Sequence, residues 1–250
     1  MTSDLYDELS GDQVPLSTPK RVLTIGAHPD DAEFGSGACL ARWAAHGADI
    51  AMLIVTDGSK GSWDPDEDKA RLVAQRKEEQ SRAAATLGAT RVIHLGHTDG
   101  ELEYTKDLRK VLTRHIREIR PDVLVTHDPW QRYQLHPDHR ATGLAAVDAV
   151  VAAREPLMFP DLAEPAHRPG VVLLWSADEP DHAEPVDPEW FDVKVEALLC
   201  HSSQGSTTMG GAESGAEKRV AFIDHLALWH AKSGSAFDIG PAETFKKIVP

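Results

Sequence analysis

Residues 21–37 read RVLTIGAHPDDAEFGSG, and this stretch decides the fold. Its first seven residues are apolar and rich in β-branched side chains, a length that suits a buried strand. The run then breaks at Pro29 into a cluster of His28, Asp30 and Asp31. Four further runs repeat the pattern, at 50–56, 91–95, 123–126 and 171–176. Helical stretches separate them, at 37–46, 68–87, 106–120 and 140–153, with Gly47 and Gly88 as C-terminal stops. Strand alternating with helix predicts an α/β fold, Rossmann-like and doubly wound, with a mostly parallel sheet and helices on both faces. Past Glu155 the pattern gives way to Pro-rich acidic loops around 159–169 and 178–188. Beyond them come a helix near 194–201, a Gly/Ser-rich loop over 202–215, and helices near 217–231 and 241–247.

At 250 residues and 41% hydrophobic, the chain is large enough for one well-buried core. Residues 1–20 are polar and acidic and read as a flexible tail, leaving a single domain over 21–250. Lys and Arg total 26 against 40 Asp and Glu, a formal charge of -14. Phosphate backbones and anionic lipid surfaces would repel such a chain, so nucleic acid and membrane are not expected partners. The two cysteines, Cys39 and Cys200, form no CxxC pair and offer no thiolate metal site. Together with the lack of an apolar run near the ~20 residues needed to span a bilayer, they lead us to expect a cytoplasmic protein.

Open parallel sheets bind ligands beyond the carboxyl ends of their strands. Polar clusters fall at those ends here: His28-Pro29-Asp30-Asp31, Asp57-Gly58, Gly96-His97-Thr98-Asp99-Gly100 and His127-Asp128-Pro129, the last leading to His136-Pro137-Asp138-His139. In the common doubly wound order, strands one and four are neighbours at the switch point, so the HPDD and HPDH clusters would meet. Histidines with a carboxylate suit a catalytic zinc ion that keeps a position open for water. With 13 histidines some pairings arise by chance, and one His-Pro-Asp could be a capped turn. Two such clusters on adjacent strand ends make chance the weaker explanation. His127 reads as a group behind the ligands or as a polar strand end.

AHPDDAEFGSG (27–37) with HPDHR (136–140) resembles the LmbE/PIG-L family of zinc-dependent N-deacetylases and amidases. The resemblance extends to RKEE (76–79), LGHTDGEL (95–102) and KVEALLCHSSQ (194–204). It implies one Zn2+ per chain, other divalent ions being possible, held by His28, Asp31 and His139. It further implies Asp30 as general base, a protonated His136 as electrophile or acid, and Asp138 orienting His136. Arg76, Asp99 and His201 are implied to face substrate. Read locally, Arg76 and Glu79 are equally a surface ion pair, Asp99 a turn residue and His201 a helix cap. The implied reaction is hydrolysis of the N-acetyl amide of a small amino sugar. The alternatives are an amidase of thiol conjugates or antibiotic-type amides, and a silent metal- or glycan-binding relative. Relatives acting on inositol-linked glycosides carry Glu after the glycine of the loop following strand two. This chain has Ser59, a departure that points away from that pathway. Oligomerisation stays open, and with it whether His201 serves its own or a neighbouring subunit's site.

Two other classes fit less well. A dinucleotide enzyme needs Gly-x-Gly-x-x-Gly after strand one, where this chain has GAHPDD. A metal phosphoesterase usually needs two ions and more carboxylate ligands.

Overall fold

The apolar runs form strands because alternate residues are buried on opposite faces of one sheet. In the computed structural model, which describes residues 15–250, the order is β1 (Arg21–Gly26), α1 (Asp31–Ala45), β2 (Asp49–Thr56), α2 (Lys69–Thr86), β3 (Arg91–His97), α3 (Lys106–Ile119) and β4 (Val123–His127). There follow α4 (Pro137–Arg154), β5 (Val171–Trp175), β6 (His182–Pro185), α5 (Pro188–Leu199), α6 (Ala216–Ser235) and β7 (Ala242–Ile248). The strands lie in the order β3-β2-β1-β4-β5-β7-β6. The first five are parallel, and β7 runs antiparallel between β5 and β6. As the doubly wound reading requires, β1 and β4 are neighbours.

Val22, Met52, Val125 and Leu173 pack on one face against Leu40 and Trp43 of α1, Leu87 just after α2, and Ala197 of α5. Leu23, Leu53, Leu124 and Leu174 pack on the other face against α3 and α4, through Leu112, Ile116, Ala145 and Ala149. A smaller cluster joins α5 to α6 through Val195, Leu198, Phe222 and Leu226. Among the described residues no helix is long and apolar enough to cross a membrane.

The expected loop around 178–188 contains β6, and α5 begins six residues earlier than expected; three further expectations need correction. The segment 241–247 is a strand, not a helix. Glu and Lys favour a helix locally, but antiparallel pairing of Trp175 with Phe245 and of His182 with the same residue decides the outcome. Helix α1 begins at Asp31, six residues earlier than expected, and is kinked at Ser36, whose φ of -152° leaves the helical range. Of the expected tail, residues 1–14 lie outside the described residues, while Leu16 is buried and its N–H donates to Glu184 Oε1 at 2.9 Å.

The kink in α1 is held from β7. Glu243 accepts the N–H groups of Ala38 (3.0 Å) and Cys39 (2.8 Å), at the start of the second segment. Its charge is matched by Lys194 Nζ at 2.7 Å, which also donates to the Phe34 carbonyl. Both side chains of this pair are almost fully buried. Removing one partner of a buried pair strands the other charge, at a cost of about 3–5 kcal/mol. Lys194→Met is therefore expected to destabilise the chain on that scale in urea unfolding. Lys246→Met, which breaks the exposed pair with Asp181, should leave the midpoint unchanged.

Candidate metal centre and active site

At the carboxyl ends of β1 and β4, the two His-Pro-Asp clusters form one site. His28 Nδ1 lies 3.2 Å from His139 Nε2, across 111 positions of sequence. The Asp31 carboxylate approaches His28 Nδ1 at 3.5 Å through Oδ2 and His139 Nε2 at 3.3 Å through Oδ1. Four-coordinate zinc with bonds of about 2.0–2.1 Å spaces its donors about 3.3 Å apart. The three contacts fall near that spacing, with Asp31 meeting the two imidazoles through different oxygens.

Two of the three, His28 and Asp31, are oriented from behind. His28 Nε2–H donates to Asp138 Oδ2 (3.2 Å) and Asp99 Oδ1 (3.1 Å), which leaves the Nδ1 lone pair toward His139 and Asp31. Asp31 Oδ2 accepts the His28 N–H at 2.7 Å and lies 3.1 Å from His127 Nε2, leaving Oδ1 turned to His139. Burial alone would lower the His28 pKa, yet Asp138, Asp31 and Asp99 raise it well above the ordinary value. Burial would raise Asp31, but His139 and His127 pull its carboxyl well below the usual range. For Asp99, burial is likewise outweighed by the His28 contact, and its pKa falls to about 2. A field that stabilises a proton on His28 also suits a divalent cation, so the residues present fit a metal ion.

Asp30 stands beside this triad in a strained backbone conformation, φ 104° and ψ -24°. Its N–H donates to Gln80 Oε1 at 3.1 Å, and Gln80 Nε2 donates onward to Glu33 Oε1 at 2.6 Å. Arg76 clamps the same turn, donating to the carbonyls of Pro29 (2.7 Å) and Gly58 (3.0 Å), with Asp30 Oδ2 at 3.5 Å. Burial pushes the Asp30 carboxyl from 3.8 up to about 6, although the Arg76 and His201 charges pull it down.

A cavity of about 600 Å³ opens over these groups, within the range of small-molecule sites. His28, Asp30, Asp31, Arg76, Asp99, His136 and His139 all line it, with Lys60, Trp63, Gln204 and Trp229 toward its other walls. Arg76 and Glu79 are not a surface pair: both are buried, and Glu79 accepts instead from Ser202, Ser203 and Gln75.

The structure differs from expectation at three residues. Asp138 serves His28 and the N–H groups of Gly100 (2.6 Å) and Leu102 (3.2 Å), not the His136 ring. His136 Nδ1 instead accepts the Asp138 N–H at 3.3 Å, which leaves the ring proton on Nε2. Burial and the neighbouring His28 and His139 lower its pKa, which together with the Asp138 N–H contact to Nδ1 favours a neutral Nε2–H donor over the expected imidazolium. His201 is fully buried in its own chain, outside the cavity lining, with Nε2 3.6 Å from Glu33 Oε1. From there its charge acts on the Asp30 carboxyl.

Gln80 and Trp175 were missed. Gln80 sits four residues after Arg76, on the same helix face, a spacing that flags it.

The profile of the PIG-L family, described as GlcNAc-PI de-N-acetylase, matches residues 23–150, just over half of the chain. The chain belongs to the PIG-L family. As a PIG-L member it is a deacetylase, a hydrolase of amide bonds, with a His/Asp cluster able to hold a metal. It is 34% identical over 193 residues to the diacetylchitobiose deacetylase of Thermococcus kodakarensis, covering 76% of this chain and 72% of that protein. It is 31% identical to the 1D-myo-inositol 2-acetamido-2-deoxy-alpha-D-glucopyranoside deacetylase of Kineococcus radiotolerans, covering 61% of this chain and 53%, about half, of that one. The solved N,N'-diacetylchitobiose deacetylase of Pyrococcus horikoshii superposes with a TM-score of 0.84 at 26% identity, covering all of this chain and 93% of that one.

Because the strand and helix core is apolar and independent of the ion, His139→Ala in this PIG-L member should keep its fold and lose metal. The expected result is metal well below one ion per chain by elemental analysis, with an unchanged circular dichroism spectrum. Full occupancy would remove His139 from the ligand set.

Proposed function

We propose that the chain is a zinc N-deacetylase acting on the N-acetylglucosamine unit of a small glycoside. The observation that carries this reading is the position of Asp30, a buried carboxylate lining one cavity with the His28, Asp31 and His139 donor triad. Two histidines and one carboxylate favour zinc over magnesium or calcium, which prefer all-oxygen sites. When bound, such an ion supplies Lewis acidity, lowering the pKa of a water and polarising a carbonyl.

The remaining chemistry belongs to side chains. Asp30 accepts a proton from the attacking water as the new C–O bond forms at the amide carbon. His136 Nε2–H donates to the oxyanion that develops on the former carbonyl oxygen, a role open to a neutral imidazole. As the C–N bond breaks, Asp30 returns its proton to the leaving nitrogen, giving acetate and the free amine. Arg76 holds the Asp30 turn through the Pro29 carbonyl. Trp63 and Trp229 give the cavity apolar walls against which a sugar ring can pack. The diacetylchitobiose deacetylase relative, aligned over most of both chains, supports a glucosamine glycoside as the substrate class.

The test is acetate and amine release from N-acetylglucosamine and N,N'-diacetylchitobiose by zinc-loaded protein and two variants. Asp30→Asn suits the positive φ and should keep near-parental zinc while losing roughly 10² or more in rate. His136→Ala should also keep zinc and lose about 10² to 10³. An active Asp30→Asn protein would mean that another group takes the proton.

A further inference from the structure

Strand register brings one more residue to the metal site. Trp175, the last residue of β5, is the direct cross-strand partner of His127, the last of β4. Its indole is buried and stands edge-on to the His127 ring, centroids 4.8 Å apart. Gly35 makes room for it: a Cβ there would lie 2.5 Å from the indole. Trp175 Nε1 lies 3.1 Å from His127 Nδ1, and His127 Nε2 lies 3.1 Å from Asp31 Oδ2.

An indole N–H can only donate. His127 Nδ1 must therefore offer its lone pair, which leaves the ring proton on Nε2, facing a carboxylate oxygen that can only accept. The opposite tautomer would set N–H against N–H at Trp175 and lone pair against carboxylate at Asp31. The one contact it would serve is the longer one from the Ala27 N–H to Nε2, at 3.3 Å. A doubly protonated ring would still clash with the indole donor. Two good contacts against one longer contact select the Nε2–H form.

We propose that Trp175 is a positioning residue for the metal site: its indole N–H locks His127 in the Nε2–H tautomer, and His127 in turn holds Asp31 Oδ2 so that Oδ1 faces the ion. This rests on reading Asp31 as a ligand. Oδ2 has two donors, the His28 N–H and His127. Losing the second frees the carboxylate to rotate away from His139. Groups that orient a metal ligand typically contribute roughly 10- to 100-fold in metal affinity.

The experiment has two arms. In nitrogen-15 histidine-labelled parent protein, two-bond nitrogen–proton correlations report the tautomer of His127, its signal assigned by its absence from His127→Leu. The Nε2–H pattern is expected, and the Nδ1–H pattern overturns the proposal without any Trp175 variant. In the second arm, zinc affinity is measured by chelator competition for Trp175→Phe, His127→Leu and the double variant. Trp175→Phe keeps an aromatic ring without the N–H and should weaken zinc roughly 10- to 100-fold. In the His127→Leu background it should cost less than about twofold more, because the tautomer it controls is gone. Parental affinity in Trp175→Phe, or an equal loss in both backgrounds, overturns the proposal; the latter would make the indole a packing residue only. If Trp175→Phe does not fold, the tautomer arm decides. Failure of the parent to bind zinc overturns the reading of the whole site, whereas zinc binding with the inverted tautomer overturns this inference alone.

Discussion

Pairing of β1 with β4 is the constraint on which the site depends. The Val22–Val123 register aligns the two strands so that they end level with one another. Their following loops then meet, and His28 Nδ1 and His139 Nε2 come within 3.2 Å. Neither cluster could hold an ion alone, since each supplies too few donors for a four-coordinate site. The parallel order also brings the loops after β2 and β3 to the same edge. There Asp99 Oδ2 accepts the Lys60 N–H at 2.9 Å and Arg76 ties the β1 loop to the β2 loop.

That convergence concentrates charge. Asp30, Asp31, Asp99 and Asp138 are all largely buried within reach of His28. Four carboxylates in low dielectric are costly unless protons, hydrogen bonds or a cation compensate them. Three are compensated by imidazoles and backbone N–H groups, and their carboxyls are held low. Asp30 alone is pushed up, by burial that the charge of Arg76, whose donors go mainly to carbonyls, does not outweigh. The same packing that keeps three acids ionised thus leaves the fourth suited to exchanging a proton. Two carboxylates adjacent in sequence acquire opposite pKa shifts from their surroundings.

Much of this was legible in the chain. Periodicity located the five parallel strands, and the rule that ligands bind at strand ends turned two distant motifs into one site. What could not be read depended on packing between distant segments. AETFKK in β7 has helical composition, and only pairing with β5 and burial of Glu243 under α1 make it a strand. Asp138 looked assigned to His136, two residues away, because local spacing hides that the chain turns its carboxylate to His28. His201 carried a motif-like neighbourhood but lies sealed beside Glu33. Trp175 gave no signal, since its role arises from register with His127.

The central claim is that the ion sits on the Nδ1 side of His28, shared with Asp31 and His139. A second cluster, on the Nε2 side, is formed by Asp99, His136 and Asp138. Crystals of zinc-loaded protein measured on both sides of the zinc absorption edge distinguish the two. The account predicts one anomalous peak about 2.0–2.1 Å from His28 Nδ1 and His139 Nε2. A peak on the Nε2 side, between Asp99 and Asp138, would contradict it.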